Sequence, residues 1–298
     1  MQIPTGLLVT FLPLTARAAN IVLSNDDGWA EKNIRVFYDA LTAAGENVLI
    51  SAPAENESGT GSSDETPETV TDGCEFDSCP AGSPAIGSNS SEPRFNYVNS
   101  YPVTAMRYGI QNLSQTLLEG PPDIAVAGFN VGSNTGLTTL ISGTVGAATE
   151  ASLDGVPGIA FSGTTGSQVA WTTATQIYQS VYADLSTNVT QTLLASGAPY
   201  LPNGIWLNVN YPAVSSSTCS SAAQFKFVLS RIYSATFLTG DDVTSCGSNR
   251  LPTESSVVGT SGCFASISVG DASDKTDASA SDQATVLAKL QPILSCLP

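Results

Sequence analysis

The side chains that could do chemistry in this chain are oxygen donors, because histidine is absent. Asn25-Asp26-Asp27-Gly28 puts two adjacent carboxylates directly after the apolar run Ile21-Val22-Leu23. Neighbouring carboxylates repel one another unless a cation or a proton sits between them. Ser58, in Ser58-Gly59 beyond Ala52-Pro53, and Asn130, in Gly128-Phe129-Asn130-Val131-Gly132, also stand just past strand-like runs. Two carboxylates, a hydroxyl and an amide suit a hard divalent cation, Mg²⁺ or Mn²⁺, and disfavour zinc or copper. Each type also has a structural use: Asp27 as the cap of a following helix, Asn130 in a turn. A further run, Ser142-Gly143-Thr144-Val145-Gly146-Ala147-Ala148, enters a helix on small residues. Unpaired amides there would hold an anion without a basic side chain, although glycine and alanine at a helix start equally serve close packing.

Missing histidine excludes Ser-His-Asp and Cys-His catalysis and imidazole-based metal sites. No G-x-x-x-x-G-K-[ST] is present and no G-x-G-x-x-G follows the first strand, so neither a P-loop nor a dinucleotide site is indicated. An aspartyl-phosphate phosphatase of the haloacid-dehalogenase type needs Asp-x-Asp at the first strand's end, a spacing that Asn25-Asp26-Asp27-Gly28 does not provide. Ten Lys+Arg against 26 Asp+Glu leave a charge of −16, which repels polyanions, so nucleic-acid polymers and membranes are not expected partners. Charged residues make up only 12% of the chain, about half the usual share, so Ser, Thr, Gly and Asn must cover much of the surface.

These residues need strand ends to hold them, and the pattern supplies strands. After Ile21–Leu23, Ile34, Phe37, Tyr38 and Leu41 recur at helical spacing before Gly45, and Val48–Ile50 reads as a second strand. Residues 54–102 form a polar stretch punctuated by Gly and Pro, too long for an ordinary connection. A helix marked by Val103, Met106, Ile110, Leu113 and Leu117 is stopped by Gly120-Pro121-Pro122, and a strand follows at 124–127. Beyond it come helix 144–154, strand 159–161, helix 171–195 and strand 205–209. Strands alternating with helices predict an α/β fold, a Rossmann-like, doubly wound, mostly parallel sheet buried on both faces. In such a sheet ligands bind beyond the carboxyl ends of the strands. Past Pro212 the alternation weakens to β pieces at 225–229 and 264–269, four cysteines and a closing helix near 282–291. The expected division is residues 1–18 as a signal peptide, 19–212 as the core and 213–298 as a smaller β-rich C-terminal extension.

The signal-peptide reading rests on the apolar run Leu7–Leu14 and the small-x-small site Ala16-Arg17-Ala18. Six cysteines without C-x-x-C spacing predict three disulfides, Cys74–Cys79 first because the two share one loop. Sequons stand at Asn56, Asn89, Asn112 and Asn188. Together these features predict a secreted glycoprotein.

The segments IVLSNDDG (21–28), SAPAENESGTGSS (51–63), PDIAVAGFNVGSNTG (122–136), ISGTVGAATEASLDGVP (141–157) and LNVNYP (207–212) resemble, in order and spacing, the SurE survival-protein family of metal-dependent nucleotidases and acid phosphatases. The resemblance implies that Asp26, Asp27, Ser58 and Asn130 are the metal ligands, that Asn134 and Ser142, Gly143 and Thr144 line the phosphate pocket, and that dimers form. It implies hydrolysis of nucleoside monophosphates or small phosphate esters with Mg²⁺ or Mn²⁺, one of Asp26 and Asp27 acting as base. The other reading is a catalytically silent binding protein of the same fold. Ala30-Glu31-Lys32-Asn33 replaces the Ala-Pro-Gly of the common bacterial pattern, and Tyr101-Pro102-Val103-Thr104 replaces its Thr-Pro-x-Asp, which leaves nucleotide selectivity open. The signal, cysteines and sequons fit a secreted, fungal-type branch. A glycan on Asn56 would stand beside the metal site, so that sequon is expected to be unused.

Overall fold

The computed structural model describes residues 17–298, so the apolar run at 7–14 lies outside the described residues. The strands are β1 (Asn20–Ser24), β2 (Asn47–Pro53), β3 (Ile86–Asn89), β4 (Glu92–Val98), β5 (Ile124–Val131), β6 (Gly158–Gly163), β7 (Ile205–Tyr211), β8 (Lys226–Ser230) and β9 (Phe264–Asp271). They form one sheet in the order β3-β4-β2-β1-β5-β6-β7-β9-β8. Pairing is parallel except for β3 with β4 and β7 with β9. The helices are α1 (Lys32–Ala43), α2 (Pro102–Tyr108), α3 (Ser114–Leu117), α4 (Gly143–Leu153), α5 (Ile177–Ala195), α6 (Glu254–Gly259) and α7 (Ala280–Leu290).

Side chains alternate across the sheet. Ile21, Leu23, Ile50, Phe129 and Phe161 face a core shared with Ile34, Phe37 and Leu41 of α1 and Tyr182 and Val189 of α5. Val22, Leu49, Ala125 and Ala160 face a second core with Met106 of α2 and Val145 and Ala148 of α4. Burial on both faces is why β1 reads as an unbroken apolar run.

Three local readings differ from the sequence pattern. Residues 54–102 contain a hairpin, β3 and β4, and β4 runs parallel to β2 with Ile50 opposite Phe95. The helix expected across 103–117 is interrupted by a wider turn at Gly109–Leu113 between α2 and α3. The helix expected from 171 begins at Ile177, because Gln176 and Gln179 close a reciprocal cap there. Residues beyond 212 add to the same sheet: β9 lies antiparallel to β7, pairing Leu207 with Val269 and Asn210 with Ser266, and β8 extends that edge.

The cysteines pair as Cys74–Cys79, Cys219–Cys263 and Cys246–Cys296. Among the described residues no helix is long and apolar enough to cross a membrane.

Candidate active site at the carboxyl edge of the sheet

Asp26 and Asp27 follow β1 immediately, between the carboxyl ends of β2 and β5. The turn that brings them there is closed by Asn25, whose Oδ1 accepts from the Gly28 N–H at 3.2 Å and whose Nδ2 donates to the Gly28 carbonyl at 2.9 Å. Gly28 has φ +107°, a left-handed conformation that glycine tolerates. A Cβ on it would also lie 2.0 Å from Oε1 of Glu75. The helix-cap role weighed for Asp27 belongs instead to Glu31, whose side chain accepts from the Asn33 N–H at the start of α1.

Asp27 is held by both oxygens. Its Oδ2 accepts from the Val131 N–H at 3.0 Å and its Oδ1 from Gln168 Nε2 at 2.7 Å. Asn130 closes the end of β5 by donating Nδ2 to the Gly132 carbonyl at 2.7 Å, so its turn role is real. Its Oδ1 has no hydrogen bond among the described residues and remains a free oxygen donor. The Ser58 loop is tied to β1 by the Glu57 N–H, which donates to the Asp26 carbonyl at 2.7 Å. Ser58 itself is exposed.

Ser142 is the N-cap of α4, its Oγ accepting from the Val145 N–H at 3.1 Å. Thr144 Oγ1 donates to Asp26 Oδ1, and the backbone N–H groups of Gly143 and Thr144 also favour the ionised Asp26 carboxyl. The first-turn amides expected to cradle an anion therefore already serve one. A Cβ on Gly143 would stand 2.8 Å from Asp26 Cβ and 2.9 Å from Pro102 Cγ, so the missing side chain is what admits the carboxylate.

Asn134 is placed differently. Its N–H donates to Asn210 Oδ1 at 2.8 Å, its Nδ2 to Ser162 Oγ at 2.9 Å, and its carbonyl accepts from Asn208 and Asn210. None of these bonds reaches Asp26, Asp27 or α4. Glu254 of α6 completes this cluster, accepting from Asn208 Nδ2 at 2.7 Å and from the Gly136 N–H at 3.3 Å.

The edge is strongly acidic. Asp26 and Asp27 are only 2% and 1% exposed, and among the described residues no Lys or Arg forms an ion pair with either. Burial pushes the Asp26 carboxyl up against the opposing pull of Thr144. Burial and then the charge of Asp26 push Asp27 to about 7. Glu31 rises to about 9 through burial and then Asp27, and Glu75 to about 8 through burial, Asp27 and Glu55. One buried oxygen of Glu31 and one of Glu75 have no partner. Burial and mutual repulsion disfavour ionisation of the bare cluster; a divalent cation would relieve the repulsion and favour the carboxylates. Among the described residues no group of three or more His, Cys, Asp or Glu could hold a metal ion. A cation at this edge would thus depend on the neutral oxygens of Asn130 and Ser58 as well as on the aspartates, and the donor chemistry fits Mg²⁺ or Mn²⁺.

Three contributors were not singled out as site residues in the sequence: Gln168, Glu31 and Glu75. Glu75 follows Cys74, whose N–H donates to the Cys79 carbonyl at 2.9 Å, while the Glu75 N–H donates to Ala54 at 3.2 Å. The two-cysteine loop is the only local signal that this segment returns to the sheet edge.

Comparison with known proteins follows the same residues. The family model for survival protein SurE matches residues 21–234. An acid phosphatase of Yarrowia lipolytica is 34% identical over 280 residues, covering 84% of this chain and 78% of that protein. A 5'-nucleotidase SurE of Lawsonia intracellularis is 32% identical over 196 residues, 66% of this chain and 67% of its own. The crystal structure of the SurE protein from Aquifex aeolicus superposes with a TM-score of 0.59 at 21% identity, covering 85% of this chain and 93% of that one.

Proposed function

Because this chain belongs to the SurE survival-protein family, we propose that it is a secreted, divalent-metal-dependent phosphomonoesterase acting on small phosphate esters or nucleoside monophosphates. The observation that carries this reading is the pair Asp26 and Asp27, both buried at the sheet edge beside the N-terminus of α4, with no Lys or Arg among the described residues in an ion pair with either. The names of its relatives, acid phosphatase and 5'-nucleotidase, support the same reaction class.

In this reading Asp26, Asp27, Asn130 and Ser58 would hold the cation, which would supply Lewis-acid charge to the phosphate oxygens. Asp27 is fixed by Val131 and Gln168, so its carboxylate keeps one orientation as substrate arrives. The N-terminal end of α4 faces the same space and favours negative charge there, first that of Asp26 and then that of a phosphate beside it. One of the two aspartates accepts the proton of the attacking water. No imidazole exists to protonate the departing oxygen. A phosphate monoester, whose second pKa is about 6, carries its own proton below that pH and can deliver it instead.

Secretion is supported by the three disulfides and the sequons. The test is a matrix of metals against substrates on chelator-treated protein: Mg²⁺ and Mn²⁺ returned singly, each against mononucleotides, polyphosphate and an aryl phosphate. Hydrolysis restored by either metal supports the reading. No hydrolysis of any substrate with either metal overturns it in favour of a silent binding protein.

A further inference from the structure

Asp27 and Ser58 stand on different loops, and two amide side chains span the distance between them. Gln168, in the loop beyond β6, donates Nε2 to Asp27 Oδ1 at 2.7 Å and accepts at Oε1 from Asn56 Nδ2 at 2.9 Å. Asn56 in turn accepts at Oδ1 from the Ser58 N–H at 2.9 Å. The same loop is pinned at Glu57, whose N–H donates to the Asp26 carbonyl, and at Gly61, whose N–H donates to the Ile141 carbonyl; the amide chain adds the tie that links Ser58 to Asp27. We propose that Asn56 and Gln168 are positioning residues, a neutral bridge that sets Asp27 and Ser58 at the mutual spacing a divalent cation needs. The inference rests on the cation-dependent reading above.

The chemistry of the bridge supports this role. An arginine or lysine in place of Gln168 would neutralise Asp27 and compete with the cation for its charge. An amide orients one oxygen through one hydrogen bond and leaves that charge in place. The Asn56–Gln168 bond is open to solvent and contributes little by itself to folding; what it supplies is registration of two ligands on separate loops.

The bridge also bears on modification. Asn56 heads an Asn-Glu-Ser sequon, and the nitrogen that would carry a sugar is the one that donates to Gln168. Among the described residues the side-chain nitrogens of Asn89, Asn112 and Asn188 make no such bond. A sugar on Asn56 would be wedged between the two loops, so cation-competent protein carries Asn56 unmodified.

The test uses the full chain and three variants: Gln168→Met, which keeps length and removes both amide functions, Asn56→Leu, and the double substitution. Mn²⁺ affinity of chelator-treated protein is read by titration calorimetry, beside the metal-free Tm and kcat and KM for an aryl phosphate. Loss of an outer-shell partner costs about 10–100-fold in metal affinity. The expected result is a loss in that range for each single variant, no further loss in the double, unchanged metal-free Tm, and recovery of kcat at saturating Mn²⁺. Should Gln168→Met fold poorly, Asn56→Leu at an exposed position still decides. Wild-type affinity in a well-folded Asn56→Leu overturns the bridge, as do losses that multiply in the double variant. Full Mn²⁺ affinity in protein that mass spectrometry shows to be glycosylated at Asn56 also overturns it. A wild-type chain that binds no Mn²⁺ removes the cation reading itself, a different failure from a wild type that binds and variants that match it.

Discussion

Replacing Glu254 by glutamine isolates one consequence of the acidic interior. Glu254 is fully buried, accepts from Asn208 and Gly136, and is pushed from its ordinary 4.5 to about 8, first by burial, against the hydrogen bonds from Asn208, Ser268 and Gly136 and with the charge of Asp277 adding to burial. Below pH 4.5 both folded and unfolded chains hold the proton, and the folded state keeps its full stability. Between 4.5 and about 8 the unfolded chain releases the proton while the folded chain retains it, so stability falls as pH rises, and above about 8 that contribution is gone. At about 1.4 kcal/mol per pH unit the gap bounds the loss at about 5 kcal/mol, or about 10 °C in Tm for a chain of this size. Glutamine has no such titration, but its Nε2 replaces one accepting oxygen and so sets a donor against Asn208 Nδ2 or the Gly136 N–H. Glu31 and Glu75 titrate in the same direction, so the informative quantity is the difference between wild type and Glu254→Gln, melted by calorimetry at pH 5 and pH 8.5 in chelator. The variant should lie below wild type at pH 5 by about 1–3 kcal/mol, the cost of the donor left unpaired, and the difference should shrink or reverse by pH 8.5. Parallel Tm-versus-pH curves for the two proteins would refute the reasoning.

Gly143→Ala should cut kcat/KM by up to about 100-fold, since misplacing a reacting group by an ångström can have that effect, and should lower the melt as well, because the new Cβ would stand 2.8 Å from Asp26 Cβ and 2.9 Å from Pro102 Cγ; unchanged kinetics would show that Asp26 need not approach α4 so closely. Native protein should offer no alkylatable thiol, and replacing both Cys246 and Cys296, 50 residues apart, by serine should lower stability by up to about 4 kcal/mol in denaturant unfolding; six reactive thiols in native protein would contradict the pairing. Without histidine, kcat/KM for alkyl and aryl phosphates should peak below neutral pH, where the monoester carries its own proton; an optimum above pH 8 for both would remove the substrate from the role of acid.

How much of this was legible beforehand depended on whether the controlling contact was local. β1, β5 and β6 announce themselves through apolar runs, because parallel strands covered on both faces have little polar side to show; β7 is apolar only to Leu207 and then alternates Asn208, Val209 and Asn210. α1 shows its stripe of Ile34, Phe37, Tyr38 and Leu41 for the opposite reason, one face being solvated. β4 did not announce itself: Glu92–Val98 lies near the sheet edge, alternates polar with apolar residues and contains a proline. Nor does period-2 patterning say which strand is a partner, so β9 pairing with β7 could not be read from residues 264–269. At the site, Asp26, Asp27 and Asn130 are found by their position after strands, and Gly143 and Thr144 by their small size at a helix start. Gln168 is 141 residues from the carboxylate it orients, and nothing in its own neighbourhood marks it.

Asp26 and Asp27 are proposed to act through a bound divalent cation. The measurement that tests it most directly is Mn²⁺ titration of chelator-treated wild type, Asp26→Asn and Asp27→Asn, following aryl phosphate hydrolysis and calorimetric binding in the same samples. Wild-type activity should rise with occupancy, and each substitution should remove both binding and turnover while the metal-free chain stays folded. Chelator-resistant turnover in wild type, or normal activity in either asparagine variant, would contradict it.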